Sequence, residues 1–192
     1  MSPENTAQRK KILRREKIKA RDAIPSSLRA EKSAAIVRRI LESEIFRKAK
    51  IVMIYRAVRG EVRLDLLPVM APEKKYAYPL CMENNEMNAL LPGSSYGWRT
   101  GPFRIPEPYP ETAEEISPER IDLVICPCTA FDTECNRLGM GGGYYDRFLP
   151  KCRNAAVISV AFEVQRAECV PHDLPDRRMD GVITEERIYG IF

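Results

Sequence analysis

Five short apolar runs, at residues 51–55, 76–80, 121–126, 156–162 and 182–184, constrain the fold of this chain more than any other feature. Each is rich in β-branched and aromatic residues and none alternates with polar ones, the pattern of a strand buried on both faces. Strands of that kind pair in parallel and need crossover segments that cover the sheet. The intervening sequence offers them. Residues 5–22 contain neither Gly nor Pro and read as a helix. Pro25-Ser26-Ser27 supplies a break and a cap, and Ile36, Val37, Ile40 and Leu41 recur at helical spacing in a second helix over residues 27–48. Leu64, Leu66 and Leu67 predict a short third helix that ends at Pro68. The expectation is an α/β protein with a mixed, largely parallel sheet flanked by helices. Residues 92–118 hold six of the fifteen prolines and predict an extended connection without regular structure.

A chain of 192 residues with 44% hydrophobic and 30% charged residues can bury a sizeable core, and residues 1–192 are read as one domain. No apolar run approaches the ~18 residues of a membrane span, and the polar, basic start carries no apolar signal segment. The expectation is a cytoplasmic protein with no membrane partner. Six cysteines are then read as reduced, buried thiols, and His172 as the single histidine leaves no two-histidine metal site such as H-E-x-x-H.

Charge is concentrated at one place. Between Arg9 and Arg21 eight basic residues face Glu16 alone, while the whole chain has 31 basic and 27 acidic residues, so the remainder is slightly acidic. A solvated helix face accounts for this run, a nucleic-acid arm would want aromatic residues among the charges, and a compact anion such as a nucleotide triphosphate fits as well.

The segment Arg137-Leu-Gly-Met-Gly-Gly-Gly-Tyr-Tyr-Asp-Arg147 follows the third apolar run and precedes a short helical pattern. Gly139, Gly141, Gly142 and Gly143 permit positive φ and leave room for successive backbone N–H groups to converge on an anion. No Gly-Lys-Ser/Thr ends the loop, and Tyr144 stands where a dinucleotide fingerprint needs Gly. By glycine count a flexible turn is an equal reading. Arg137, the paired tyrosines and Asp146 add a phosphate-binding cation, two aromatic rings and a carboxylate suited to Mg²⁺.

With those neighbours, the loop resembles the R-L-G-x-G-x-G-Y-Y-D signature of the 5-formyltetrahydrofolate cyclo-ligase, or 5,10-methenyltetrahydrofolate synthetase, family. The resemblance continues through Lys10-Lys-Ile-Leu-Arg14, Glu61, Ile105-Pro-Glu-Pro108, Ala161-Phe-Glu-Val-Gln165 and Asp176-Arg-Arg-Met-Asp180. It implies a sheet like that of sugar-phosphate isomerases and CoA transferases. It also implies an ATP- and Mg²⁺-dependent ring closure of 5-formyltetrahydrofolate to the 5,10-methenyl form through a phosphorylated formyl group, with release of ADP and phosphate.

The resemblance further assigns residues. Lys10, Lys11, Leu13 and Arg14 on the basic helix, with Arg137, Leu138, Gly139, Met140, Gly141, Gly142, Gly143, Tyr144 and Tyr145, would bind ATP. Arg137 and Tyr145 would be catalytic. Tyr55, Arg56, Glu61 and Phe103, with Met140 to Tyr144, would hold the folate, Glu61 against the donor edge of the reduced pterin and Phe103 stacked upon it. Asp146 and Asp180 would hold Mg²⁺; Asp176, four residues before Asp180, could share that role or be a loop or cap residue. Pro175 stands where many relatives carry His. The partners implied are the folate, possessing one or more glutamates, and ATP, with no nucleic acid, acting on a monomer. Two other readings stay open: a non-catalytic nucleotide- or RNA-binding module, and a ligase of the same fold for another formyl compound.

Overall fold

The computed structural model describes residues 3–93, 97–172 and 176–190, apart from the side chains of residues 3, 4 and 103. An eight-stranded sheet runs through it. Its five parallel strands are β1 (Ile51–Met53), β2 (Lys75–Cys81), β7 (Leu123–Pro127), β10 (Ala156–Val160) and β11 (Gly181–Ile183). Antiparallel strands extend the edges: β12 (Ile188–Gly190) beside β11, and β3 (Met87–Leu91) then β6 (Glu114–Ile116) beside β2. The order across the sheet is β12-β11-β10-β7-β1-β2-β3-β6. Two small ribbons stand apart, β4 (Trp98–Thr100) with β5 (Pro106–Pro108), and β8 (Ala130–Phe131) with β9 (Arg137–Leu138).

The apolar runs form the central strands because both of their faces are covered. Val52 and Ile54, Leu123 and Ile125, and Ile158 and Val160 pack on one side with Ile36, Val37 and Ile40. Met53, Val124, Cys126 and Val157 point to the other side, against Phe148, Leu149 and Cys152. Neighbouring residues thus serve opposite cores, as the period of two in a strand requires. The mixed, largely parallel sheet expected from the sequence is the one found.

Helix α1 (Pro3–Asp22) matches the expected first helix. The second is interrupted: α2 (Ser26–Glu42) ends at Ser43 and α3 (Glu44–Lys48) begins there. Ser43 is extended, its hydroxyl donating to the Ile40 carbonyl at 2.6 Å and accepting from the Phe46 amide at 3.4 Å, so one side chain ends one helix and caps the next. Pro68 does not end a helix either. It lies in the first turn of α4 (Leu67–Met70), where its missing N–H costs nothing. The proline-rich connection carries β4, β5 and β6, with Pro106 and Pro108 on the two-stranded ribbon, a position where a strand tolerates an absent donor. Strands β3 and β12 had no counterpart among the apolar runs.

After β1 the chain pairs β2 on one side, and β7 later pairs on the other. The direction of winding reverses between β1 and β7, and in open α/β sheets the crevice outside the carboxyl ends of such strands is where ligands bind. α5 (Tyr144–Phe148) follows the glycine segment on this side of the sheet.

Ile125 on β7 is fully buried and Ile12 on α1 is half exposed. Ile125→Ala should therefore lower the unfolding free energy by about 2–5 kcal/mol, and Ile12→Ala by less than about 0.5 kcal/mol. Urea unfolding of both variants beside the parent checks this, and equal losses would contradict the burial of β7.

Candidate functional site

At the switch between β1 and β7 lies a cavity of about 400 Å³, walled by Tyr55 and Arg56 beyond β1, by Pro127, Cys128 and Thr129 at the end of β7, and by the glycine loop. The wall at β7 is pinned from beneath. The buried Gln165 amide donates to the carbonyls of Cys128 at 2.7 Å and Thr129 at 3.0 Å, while its oxygen accepts from the Phe162 amide at 2.9 Å.

The glycine loop is aimed by a second buried residue, Asp132. One carboxylate oxygen accepts from the amides of Glu134 and Asn136, at 3.1 and 3.0 Å, and the other from the Asn136 side chain and the Val170 amide, at 3.0 and 2.9 Å. This network folds residues 132–136 into a tight turn that returns the chain as β9, directly ahead of Gly139. In the loop, Gly141 and Gly143 have φ of 102° and 71°, the left-handed region that glycine alone enters cheaply. Gly142 is not at positive φ, and of the two reasons the loop offers for glycine, steric room is the one that holds there, since a Cβ on it would stand 2.9 Å from the Tyr144 ring.

Helix α1 brings two of its cations to this loop. Arg14 Nε donates to the Gly139 carbonyl at 2.8 Å, and Lys10 Nζ pairs with Asp176 at 2.6 Å. Leu13 does not enter the cavity. It packs against Ala130, Leu138 and Val170, and this apolar contact docks the helix on the β8–β9 ribbon. Lys11 is exposed and lies outside the cavity wall. Leu138, Met140, Tyr144 and Tyr145 all line the cavity.

Arg137, only 5% exposed in its side chain, pairs with Asp146 at 2.7 Å and stands 5.5 Å over the Tyr145 ring. Its Nε is buried without a hydrogen-bond partner among the described residues. Burial of the Arg14 guanidinium lowers its pKa, and the carboxylates of Asp176 and Asp146 oppose that shift, so both acids act on one cation. Burial pushes the Tyr55 and Tyr145 phenols well above their ordinary values, which keeps both protonated. The Tyr55 hydroxyl is engaged with the Val62 carbonyl at 2.9 Å.

Glu61 is placed by a turn in which Arg59 and Gly60 have φ of 50° and 80° and the Glu61 amide donates to the Val58 carbonyl at 3.1 Å. Its carboxylate in turn accepts from the Val58 amide at 3.0 Å. Burial raises the Glu61 pKa, while the Val58 hydrogen bond and the nearby Arg21 and Arg59 oppose the rise. The side chain of Phe103 and the residue Pro175 lie outside the described residues.

One sequence assignment is corrected by the geometry. Asp180 does not line the cavity: its carboxylate accepts from the Val157 amide at 2.7 Å, capping the start of β10. Asp176, for which the sequence left both a share in the metal site and a loop or cap role open, is the carboxylate that faces the cavity with Asp146. The same five-residue segment carries both acids, and sequence alone had no means of telling which one turns inward. Pro79, Cys81, Met87 and Ile105 complete the wall and were not anticipated. Gln165 and Asp132, which position it, carried no ligand-type signal in the sequence.

The model of the 5-formyltetrahydrofolate cyclo-ligase family matches residues 6–185. Over 182 residues the chain is 24% identical to the 5-formyltetrahydrofolate cyclo-ligase of Mus musculus, spanning 85% of this chain and 87% of that protein. It is 31% identical to that of Haemophilus influenzae over 140 residues, 65% and 70% of the two chains. Among solved structures, the 5,10-methenyltetrahydrofolate synthetase of Aquifex aeolicus superposes with a TM-score of 0.81 at 32% identity, covering 94% of this chain and 92% of that one. The chain belongs to the 5-formyltetrahydrofolate cyclo-ligase family.

The raised pKa of Glu61 has a sign that can be tested. Its contribution to folding is fully present below the ordinary glutamate range and is lost as pH rises through the higher folded value. Glu61→Gln should thus melt above the parent at neutral pH, with the difference closing as pH falls below about 4. Thermal melts across that range decide it; a variant that melts lower at neutral pH contradicts the burial argument.

Proposed function

We propose that this member of the family closes 5-formyltetrahydrofolate to 5,10-methenyltetrahydrofolate at the cavity between β1 and β7, with ATP as co-substrate. The single observation that supports this most is the convergence of Lys10, Arg14, Arg137 and the glycine loop on one cavity that Glu61 also borders. In this reading residues 1–192 act as one cytoplasmic, monomeric catalytic domain whose partners are the folate and ATP.

The chemistry sets the demands on the residues. The formyl oxygen leaves poorly, so the γ-phosphate of ATP is first transferred to it. N10 then attacks the activated carbon and gives up its proton to solvent, and the C–O bond breaks with departure of phosphate. Phosphoryl transfer needs positioning and charge neutralisation in a site shielded from water. Lys10, Arg14 and Arg137 would meet the phosphate oxygens from different sides of the loop, the guanidiniums in bidentate fashion. Arg137, whose Nε lacks a partner among the described residues, is the one best placed to donate a hydrogen bond to a bound anion. Tyr145 stays a neutral phenol, so it can donate a hydrogen bond to the transferring group and cannot serve as a base at neutral pH. Glu61 would accept from the donor edge of the reduced pterin, and its partly desolvated carboxylate makes that bond stronger than one in water. Tyr55 and Arg56 would border the same ring.

The donor set fits Mg²⁺. Asp146 and Asp176 both face the cavity and both act on Arg14, and one or two carboxylates with phosphate oxygens and water are the usual surroundings of this ion. When bound, Mg²⁺ would neutralise charge on the phosphates. Asp146 and Asp176 would hold it on release from Arg137 and Lys10, their present partners.

The methenyl chromophore should appear only with ATP and Mg²⁺ together, with ADP formed in step, and equal product without nucleotide would overturn the reading. Asp146→Asn and Asp176→Asn should each cut turnover by about 100-fold or more and raise the Mg²⁺ requirement, whereas Asp180→Asn should keep the parent's Mg²⁺ dependence. Wild-type Mg²⁺ titrations of the first two variants would remove them from the metal site.

A further inference from the structure

The segment Ile105-Pro-Glu-Pro108 holds a charged group that the proposed reaction does not use. Glu107, on β5, is fully buried, a state in which a carboxylate loses its hydration and needs compensation from the protein. That compensation is incomplete. One carboxylate oxygen accepts from the Cys81 amide at the end of β2, at 3.0 Å. The other, Oε2, has no hydrogen-bond partner among the described residues, and Arg99 Nη2, across the ribbon on β4, stands 3.7 Å from it. Arg99 Nε is likewise buried without a hydrogen-bond partner among the described residues. A half-made buried pair stabilises a fold less than apolar side chains of the same size would, so stability alone gives no reason for a carboxylate here.

What the carboxylate holds is a wall of the cavity. It lies against Gly101, where a Cβ would stand 2.2 Å from both Cδ and Oε2, so the turn at residues 101–105 closes directly over it. The Gly101 amide donates to the Ile105 carbonyl at 2.8 Å, which draws the two ends of the turn together. Arg104, within it, has a φ of 60°, a conformation that a non-glycine residue keeps only where its surroundings impose it. Ile105 at the end of the turn and Cys81 at the end of β2 both line the cavity. Glu107 does not line it, but joins these two stretches of its wall, one by a hydrogen bond and the other by contact. Burial and the adjacent Glu107 carboxylate push the Cys81 thiol up to about 12, so Cys81 stays a neutral thiol.

This wall stands on the opposite side of the cavity from α1. The β4–β5 ribbon packs on β2, with Trp98 edge-on to Tyr78 at 4.8 Å between centroids and 4.2 Å from the Arg56 guanidinium. Helix α1, which carries Lys10 and Arg14, packs instead on β8 and residues 163–165. We infer that Glu107 is a positioning residue for the folate: it fixes the wall made by Cys81 and Ile105, and through that wall it sets the affinity for the folate and not for ATP. The inference rests on the folate reading above and adds to that site a determinant that touches neither substrate.

The test follows methenyl formation at saturating Mg²⁺ with the folate and ATP varied separately. Glu107→Ala removes the acceptor of the Cys81 amide. It should raise the KM for 5-formyltetrahydrofolate about tenfold, the size expected for one hydrogen bond to a charged group, and leave the KM for ATP within about twofold of the parent's. Glu107→Gln keeps an oxygen for the Cys81 amide and should recover most of the loss. A merely structural role would reduce the active fraction, and with it the apparent kcat, while both KM values stayed unchanged. That result, or an equal rise in the two KM values, would overturn the positioning role and leave the ligase reading intact. No product from the parent would overturn the ligase reading and the inference with it. Should Glu107→Ala fail to fold, Gly101→Ala carries the test, because its Cβ would press on the carboxylate from the side of the turn and the end of a side chain is what yields there. It must then raise the folate KM alone, and an unchanged folate KM overturns the inference.

Discussion

Burial of both faces of the parallel strands is the constraint on which the remaining architecture depends. Once residues at 52, 54, 123 and 125 serve one core and those at 53, 124 and 126 the other, the strands have little room for polar side chains, the buried Ser159 of β10 being an exception. Functional groups are displaced to the carboxyl ends, where the backbone leaves the sheet. The residues after β1 and β7 start within one strand spacing of each other, about 4.8 Å, and diverge from there, which opens a cleft between them. Everything chemically distinctive in the molecule then converges on this cleft, from the turn at residues 58–61, the glycine loop and the basic helix. Removing the reversal of winding between β1 and β7 would scatter these groups along the sheet edge.

Charge in the cleft is arranged as two internal pairs, Lys10 with Asp176 and Arg137 with Asp146. A buried pair gains little net stability, because desolvation offsets the attraction, but it does hold both side chains in place. Each pair combines a cation suited to phosphate with an anion suited to a divalent metal. In the proposed reaction a nucleotide with its metal would replace both partners at once, phosphate for carboxylate and metal for cation, so each charge of these partly buried pairs would keep a partner. The Arg14 bond to the Gly139 carbonyl adds a direct link between helix and loop. The position of α1 is thereby coupled to the shape of the glycine loop, beside its apolar contact in the small cluster around Leu13.

The parallel strands were legible because a run such as Ile51-Val-Met-Ile has one economical placement, buried on both sides. The glycine loop was legible because its chemistry is contiguous in sequence. What escaped was decided by contacts between distant segments. The break at Ser43 depends on a serine hydroxyl competing for the Ile40 carbonyl, and periodicity runs through it unchanged. The choice between Asp176 and Asp180 turns on which acid meets Lys10 from a helix some 166 positions away and which meets the Val157 amide. The buried Asp132 and Gln165 resemble ordinary polar loop residues until the amides and carbonyls they satisfy are placed around them. At Gly142 the sequence left two causes open, steric room and a left-handed backbone, and only the contacts with Tyr144 separate them.

Glu61 brings these strands of argument together. Its turn places a non-glycine residue, Arg59, at positive φ, a local cost of the order of 1 kcal/mol, and it buries a carboxylate whose own pKa rises in consequence. Neither feature helps the fold. Both are opposed by neighbours brought from elsewhere: the Val58 amide, and Arg21, which is buried at the end of α1 and donates to the Arg59 carbonyl at 2.6 Å. The basic helix thus acts at both ends, with Lys10 and Arg14 at the glycine loop and Arg21 under the turn that carries Glu61. One rigid element spans the two halves of the cleft, so the separation between the glycine loop and the Glu61 carboxylate is fixed by helix length rather than by loop conformation. For a reaction in which a phosphoryl group must meet one oxygen of a second substrate, a fixed separation between the two binding groups is the property that removes most of the entropic barrier.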